Sequence, residues 1–207
     1  MPALSFGERN FGAADLGDRR RVRRWVQTAD LLLRHPGGSL PDKLSHPAAL
    51  QGLYRWVSRE SVTQASVLGP HYECVRQRIA AAAGDVVLLQ DTTELDYSGL
   101  SSRAEELGTL GGPGRPRGFP CHPSRAVAAG SHEGLGRVSQ ILPGRANVPR
   151  PEPRRTTRAK PERESRGWQR GCEASPAPSA NQRLIDRADR ASDRFEFLEF
   201  EQTARRR

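Results

Sequence analysis

Apolar residues recur at the three-and-four spacing of one helix face along Val22, Trp25, Val26, Ala29, Leu32 and Leu33. The spacing predicts an amphipathic helix that begins near Asp15 or Asp18, where a carboxylate can cap free amides, and stops at His35-Pro36-Gly37-Gly38. Arg20, Arg23 and Arg24 project away from its apolar stripe. A second helical pattern runs through Ala49, Leu50, Leu53, Tyr54 and Val57, and a third through Tyr72, Val75, Ile79 and Ala82, closed by Gly84. Val86-Val87-Leu88-Leu89 then forms a short continuous apolar run, which suits a strand buried on both faces. Leu184-Ile185 leads into a polar stretch around Asp189, and Phe195, Leu198 and Glu199 suggest the start of a last helix. There is no internal repeat.

Charge divides the 207 residues unevenly. Residues 1–84 carry a net +5, whereas residues 111–183 hold 14 basic against 5 acidic residues together with 21 Gly and Pro. That segment has only eight large apolar or aromatic residues, a composition that reads as disordered. Its charge points to nucleic acid, yet Lys43 and Lys160 are the only lysines, so an arginine-rich composition from GC-rich coding explains it equally well. Cys74, Cys121 and Cys172 lie far apart, and His35, His46, His71, His122 and His132 show no metal-ligand spacing. These features exclude a disulfide framework and a zinc ribbon. No run approaches a membrane span and no leader follows Met1, so a cytoplasmic chain is expected.

An acidic residue at the carboxyl end of a buried strand is costly to desolvate unless a cation or donor meets it. Asp91 stands at such an end. Should the strand before Asp189 lie beside the first, the two carboxylates would converge and call for divalent cations. The plainer alternative is that Asp91 caps a turn and Asp189 sits in a solvated helix start.

Gln90-Asp91-Thr92-Thr93-Glu94-Leu95-Asp96-Tyr97, followed by Glu105-Glu106-Leu107-Gly108-Thr109-Leu110-Gly111, resembles the first catalytic segment of bacterial cut-and-paste transposases of the IS-four group, which includes the transposon Tn-five. Leu16-Gly17-Asp18-Arg19-Arg20-Arg21 and Leu53-Tyr54-Arg55-Trp56 resemble two signatures of that family's helical DNA-binding domain. Glu164-Ser165-Arg166-Gly167-Trp168 and Ala188-Asp189-Arg190-Ala191-Ser192-Asp193 resemble its later segments. The resemblance implies an RNase H-like fold with an Asp-Asp-Glu triad holding two magnesium ions, in which Asp91 and Asp189 match the first two metal-holding, catalytic carboxylates. The glutamate belongs far beyond the second aspartate and has no counterpart before Arg207. Arg20, Arg21, Arg24 and Arg55 match basic DNA-binding positions, and Tyr54 matches too, although Leu50, Leu53 and Val57 around it favour a core place. Trp25 and Trp56 read as packing anchors, and Thr92 and Thr93 as bonding partners of the Asp91 turn, with lining of the site as the alternative.

The family's second and third strands belong between residues 119 and 148, where Pro120 and Pro123 argue against central strands. That interval reads as shifted frame or decay, with resemblance returning from Pro149 to Lys160.

The expected architecture is α+β: a helical DNA-binding domain over 1–84, then an incomplete RNase H-like α/β domain over 85–207 with 111–183 largely disordered. The expected function is that of a truncated transposase which binds transposon ends as double-stranded DNA and lacks strand cleavage. Two alternatives remain open: a stand-alone binding module that blocks an intact transposase, and a nonspecific basic nucleic-acid binder acting through 111–183.

Overall fold

A computed structural model describes residues 3–44, 46–99, 107–110, 114, 116–142, 165–178, 181–188 and 195–204. The chain divides into two units, Met1–Gln77 and Arg78–Arg207, so the boundary falls earlier than Gly84.

The first unit is helical: α1 (Phe6–Phe11), α2 (Arg19–Arg34), α3 (Leu40–Lys43), α4 (Pro47–Val57) and most of α5 (Gln64–Ala81). Asp18 caps α2, its carboxylate accepting the Arg20 N–H at 2.8 Å. Of the two aspartates read as caps, the second is therefore the one used. The start of α5 lies earlier than the apolar spacing indicated. Thr63 and Ser66 bond reciprocally, each side-chain oxygen accepting the other's backbone N–H, at 2.9 and 3.1 Å. This box fixes the start of the helix, which contains Pro70 in its interior.

One core gathers Ala14, Leu16, Leu44, Leu53 and Trp56; a second gathers Phe11, Val26 and Ala29. Trp25 packs against both, stacking on Trp56 with ring centroids 5.0 Å apart and planes 10° from parallel. The two tryptophans thus join α2 to α4, as packing anchors do.

The second unit is built on a sheet of β1 (Val86–Gln90), β2 (Thr93–Asp96), β3 (Gly108–Thr109), β4 (Arg117–Ala128), β5 (Gly134–Ile141) and β6 (Leu184–Arg187). Gly84, at φ 84°, supplies the left-handed turn between α5 and β1. β4 is central: β1 and β2 lie end to end along one side of it, β3 and β5 along the other, all antiparallel. β6 pairs in parallel with β1 on β1's far side. α6 (Ser165–Glu173) and α7 (Phe195–Ala204) share a cluster of Trp168, Cys172 and Phe197.

This arrangement corrects two expectations. The interval read as too proline-rich for central strands contains β4 and β5, and the segment read as largely disordered contains both of them and α6. The physical reason is the alternation of donors along β4. Ala129 N–H donates to Asp85 O on the β1 side, and Ala128 N–H donates to Glu133 O on the β5 side. By this alternation Pro123 faces the β1–β2 side, opposite Asp91, where the two strands break between Gln90 and Thr93. Pro120 faces the other side, in the gap between the β3 pairing at Gly118 and the β5 pairing at His122. Each proline thus falls where the ladder is interrupted, so no pairing among the described residues depends on its missing N–H.

A third correction concerns β1. Val86 and Leu88 are fully buried, but Leu89 is 40% exposed, and Ile185 of β6, paired with Val87, is 42% exposed. Among the described residues the strand is fully covered on one face only, so its apolar run does not report burial on both faces.

At the start of β1, Asp85 and Arg183 tie the flanks of β1 and β6, with Arg183 Nη2 and Nε donating to Asp85 Oδ2 at 2.5 and 3.0 Å. The side-chain hydrogen bond from Arg183 and then its backbone N–H hold the Asp85 carboxyl below its ordinary value of 3.8. A carboxyl depressed in the folded state contributes stability that is fully present above its unfolded value and lost as pH falls through the folded one. Urea unfolding below pH 4 should therefore decline more gently for Asp85→Asn than for the wild type; parallel declines would remove this pair as a contributor.

Candidate nucleic-acid interface and carboxylate site

α2 presents two different faces. Inward, Val26 and Ala29 are buried and Trp25 is half-buried. Outward, Arg20, Arg23, Arg24 and Gln27 stand at the i, i+3, i+4, i+7 spacing that puts residues on one side of a helix. They line a groove of about 240 Å³, floored by Leu31 of α2, Leu44 after α3 and Ala49 of α4. The side chains of Arg20, Arg23 and Arg24 are exposed and form no hydrogen bond or ion pair among the described residues. Three exposed guanidinium groups within little more than one helix turn, each a cationic fork of donors, suit a row of phosphate oxygens.

The other positions expected to touch DNA divide. Arg55 is exposed on α4, as a contacting residue must be. Arg21 is half-buried, and its Nη1 donates to Leu16 O at 2.9 Å and reaches Ser61 Oγ at 3.5 Å, so its first service is to the fold. Tyr54 is 48% exposed, which corrects the expectation of a core place. Leu53 and Trp56 take the inward positions of α4, and Tyr54 turns outward between them. Arg23 was read only as projecting away from the apolar stripe, and Gln27 and Gly52 were not singled out from the sequence. The signal for Arg23 and Gln27 was their seven-residue row with Arg20; Gly52 had none.

In the second unit, Asp91 follows β1 directly and is exposed, its Oδ1 accepting the N–H of Thr92 at 2.7 Å. The desolvation argument for a cation at Asp91 therefore fails: water and its own turn already meet the charge. β6 lies parallel beside β1, so the carboxyl ends of the two strands are neighbours. Asp189, two positions beyond Arg187, lies outside the described residues.

The sequence reading missed a buried polar chain behind this turn. His122, 2% exposed and given no role from sequence, meets Thr92 Oγ1 through Nδ1 at 2.9 Å and Gln90 Oε1 through Nε2 at 3.1 Å. Gln90 Nε2 donates to Asp186 Oδ1 at 2.9 Å and to Cys172 Sγ at 3.1 Å. Because the Gln90 amide nitrogen donates, its oxygen accepts, so His122 Nε2 is the donor of the bond between them. The signal for Gln90 was its place on the inward row of β1, after Val86 and Leu88. Thr92 is thus held by His122 through its side chain, while its backbone serves the Asp91 turn.

Magnesium takes hard oxygen donors, and Asp91 offers one carboxylate. Among the described residues, the group of three ligand atoms close enough to share an ion is Cys172, Asp186 and Glu201, within 4.8 Å of one another, and Asp91 is not in it. Burial, then the Asp186 charge, pushes the Cys172 thiol well above its ordinary range. A protonated thiol is a poor partner for so hard an ion. The described residues do not make a magnesium site around Asp91, and no reaction step follows from them through an ion.

Among the described residues no helix is long and apolar enough to cross a membrane. Residues 4–62 match the family model described as transposase DNA-binding. The match covers α1 to α4, including the arginine-lined groove, and it supports a transposase N-terminal DNA-binding domain with DNA as its partner.

Proposed function

We propose that the first unit binds duplex DNA at transposon ends, with Arg20, Arg23 and Arg24 gripping phosphates along the α2 groove and Arg55, Arg21 and Tyr54 adding contacts around it. The observation that carries this reading is the row of exposed, uncommitted guanidinium groups inside the segment matched to transposase DNA-binding domains. Phosphate contacts of this kind fix a protein's register on its duplex.

The second unit is proposed as the RNase H-like part of an IS-four-type transposase, with Asp91 and Asp189 as its first two metal-holding carboxylates. β4 and β5 lie where the resemblance places the second and third strands, and β6 runs parallel to β1 toward Asp189. Both features favour that reading.

The test is selection of the 207-residue protein against a randomised duplex library, followed by anisotropy titration of enriched and unenriched duplexes. Enrichment of one sequence, bound more tightly than the starting pool, is expected. Binding without enrichment would replace end recognition by nonspecific electrostatic attachment, and that attachment would weaken steeply with salt.

A further inference from the structure

Gly52 stands in the middle of α4, where glycine disfavours a helix and alanine would favour it. The neighbouring helix gives it a use. The Arg24 guanidinium lies directly over it: a Cβ on Gly52 would overlap Arg24 Nη1 and come within 2.8 Å of Cζ. No backbone atom outside α4 comes as near to that position.

We propose that Gly52 is a positioning residue for DNA binding, its missing side chain being the seat that holds the Arg24 guanidinium at the groove it shares with Arg20 and Arg23. The proposal rests on the reading of that groove as the DNA interface. Arginine loses much rotamer freedom when it is fixed on a ligand, and a side chain already seated in its bound place loses less. A methyl group at Gly52 pushes out the far end of a flexible side chain and leaves the backbone of α2 and α4 where it is. Affinity then falls while the fold is kept, which is the reverse of what a purely structural glycine would show.

The experiment compares Gly52→Ala, Arg24→Ala and the double variant of the full chain by thermal unfolding and by titration with a mixed-sequence duplex at several salt concentrations. For Gly52→Ala the expected result is a melting temperature equal to or above wild type. Its affinity should be about three- to tenfold weaker, with a log K against log salt slope shallower by about 0.9, the loss of one phosphate contact. Arg24→Ala should match it, and the double variant should bind no worse than Arg24→Ala alone. Wild-type affinity and slope in Gly52→Ala, or additive losses in the double variant, would overturn the seat. If Gly52→Ala melts lower, recovery in the double variant assigns the conflict to Arg24, and no recovery overturns the proposal. Unweakened binding by Arg20→Ala and Arg23→Ala sinks the DNA reading of the groove itself; weakening by those two and by Arg24→Ala, but not by Gly52→Ala, sinks only the seat.

Discussion

Replacing Arg20, Arg23 and Arg24 together by alanine should weaken duplex binding about a thousandfold in low salt, since hydrogen bonds to charged groups contribute about 1.5 kcal/mol or more each. The slope of log K against log salt should become shallower by about 2.7, because each phosphate neutralised adds about 0.9. Stability should hardly change, as all three side chains are exposed and form no hydrogen bond or ion pair among the described residues. Arg21→Ala should behave differently: it withdraws a donor from Leu16 O, beside a core leucine that is 1% exposed, and so should lower the melting temperature more than it lowers affinity. Salt-dependent titrations and thermal melts of the two variants decide the matter. A triple variant that keeps the wild-type slope would remove α2 from the interface and leave the 14 basic residues of 111–183 as the place to look.

The helices of the first unit were legible because their information is local. The α2 stripe, its Asp18 cap and the Pro36-Gly37 stop are all readable within a few residues, and the structure places the helix at Arg19–Arg34. The second unit depends on pairings across long separations. Pro120 and Pro123 look prohibitive until β4 is seen to have gaps in its ladder, on opposite sides, at those two residues. His122 lies 32 residues from Gln90 and Asp186 lies 96 residues from it, so nothing in their spacing announces a hydrogen-bonded chain. Asp91 was found by its place after an apolar run, but its exposure was not, because the run gave no sign that Leu89 faces outward. Tyr54 shows the same limit in a helix. Its apolar neighbours suggested burial, and the phase of α4, fixed by Leu53 and Trp56 on the core side, put it outside.

Trp56→Ala should cost the first unit about 3–5 kcal/mol, the range for removing a large aromatic side chain from a core. Trp56 is 4% exposed among Ala14, Leu16, Leu44 and Leu53, and it carries the stack with Trp25 that joins α4 to α2. A unit ending at Gln77 is small, and small domains hold only about 5 kcal/mol in reserve, so this loss brings it close to unfolding. Trp56→Phe should cost much less. Among the described residues the buried indole Nε1 has no hydrogen-bond partner, and phenylalanine removes that donor while keeping a ring against Trp25. Urea unfolding checks both values, and a midpoint in Trp56→Ala equal to wild type would show that the stack does not hold the two helices. DNA binding gives an independent reading of the same variant. Trp56→Ala loses affinity because the folded fraction falls, so an excluded osmolyte such as sucrose or TMAO should restore binding by restoring the fold. The arginine triple is folded and lacks the charges themselves, so the same osmolyte should leave its binding as weak as before.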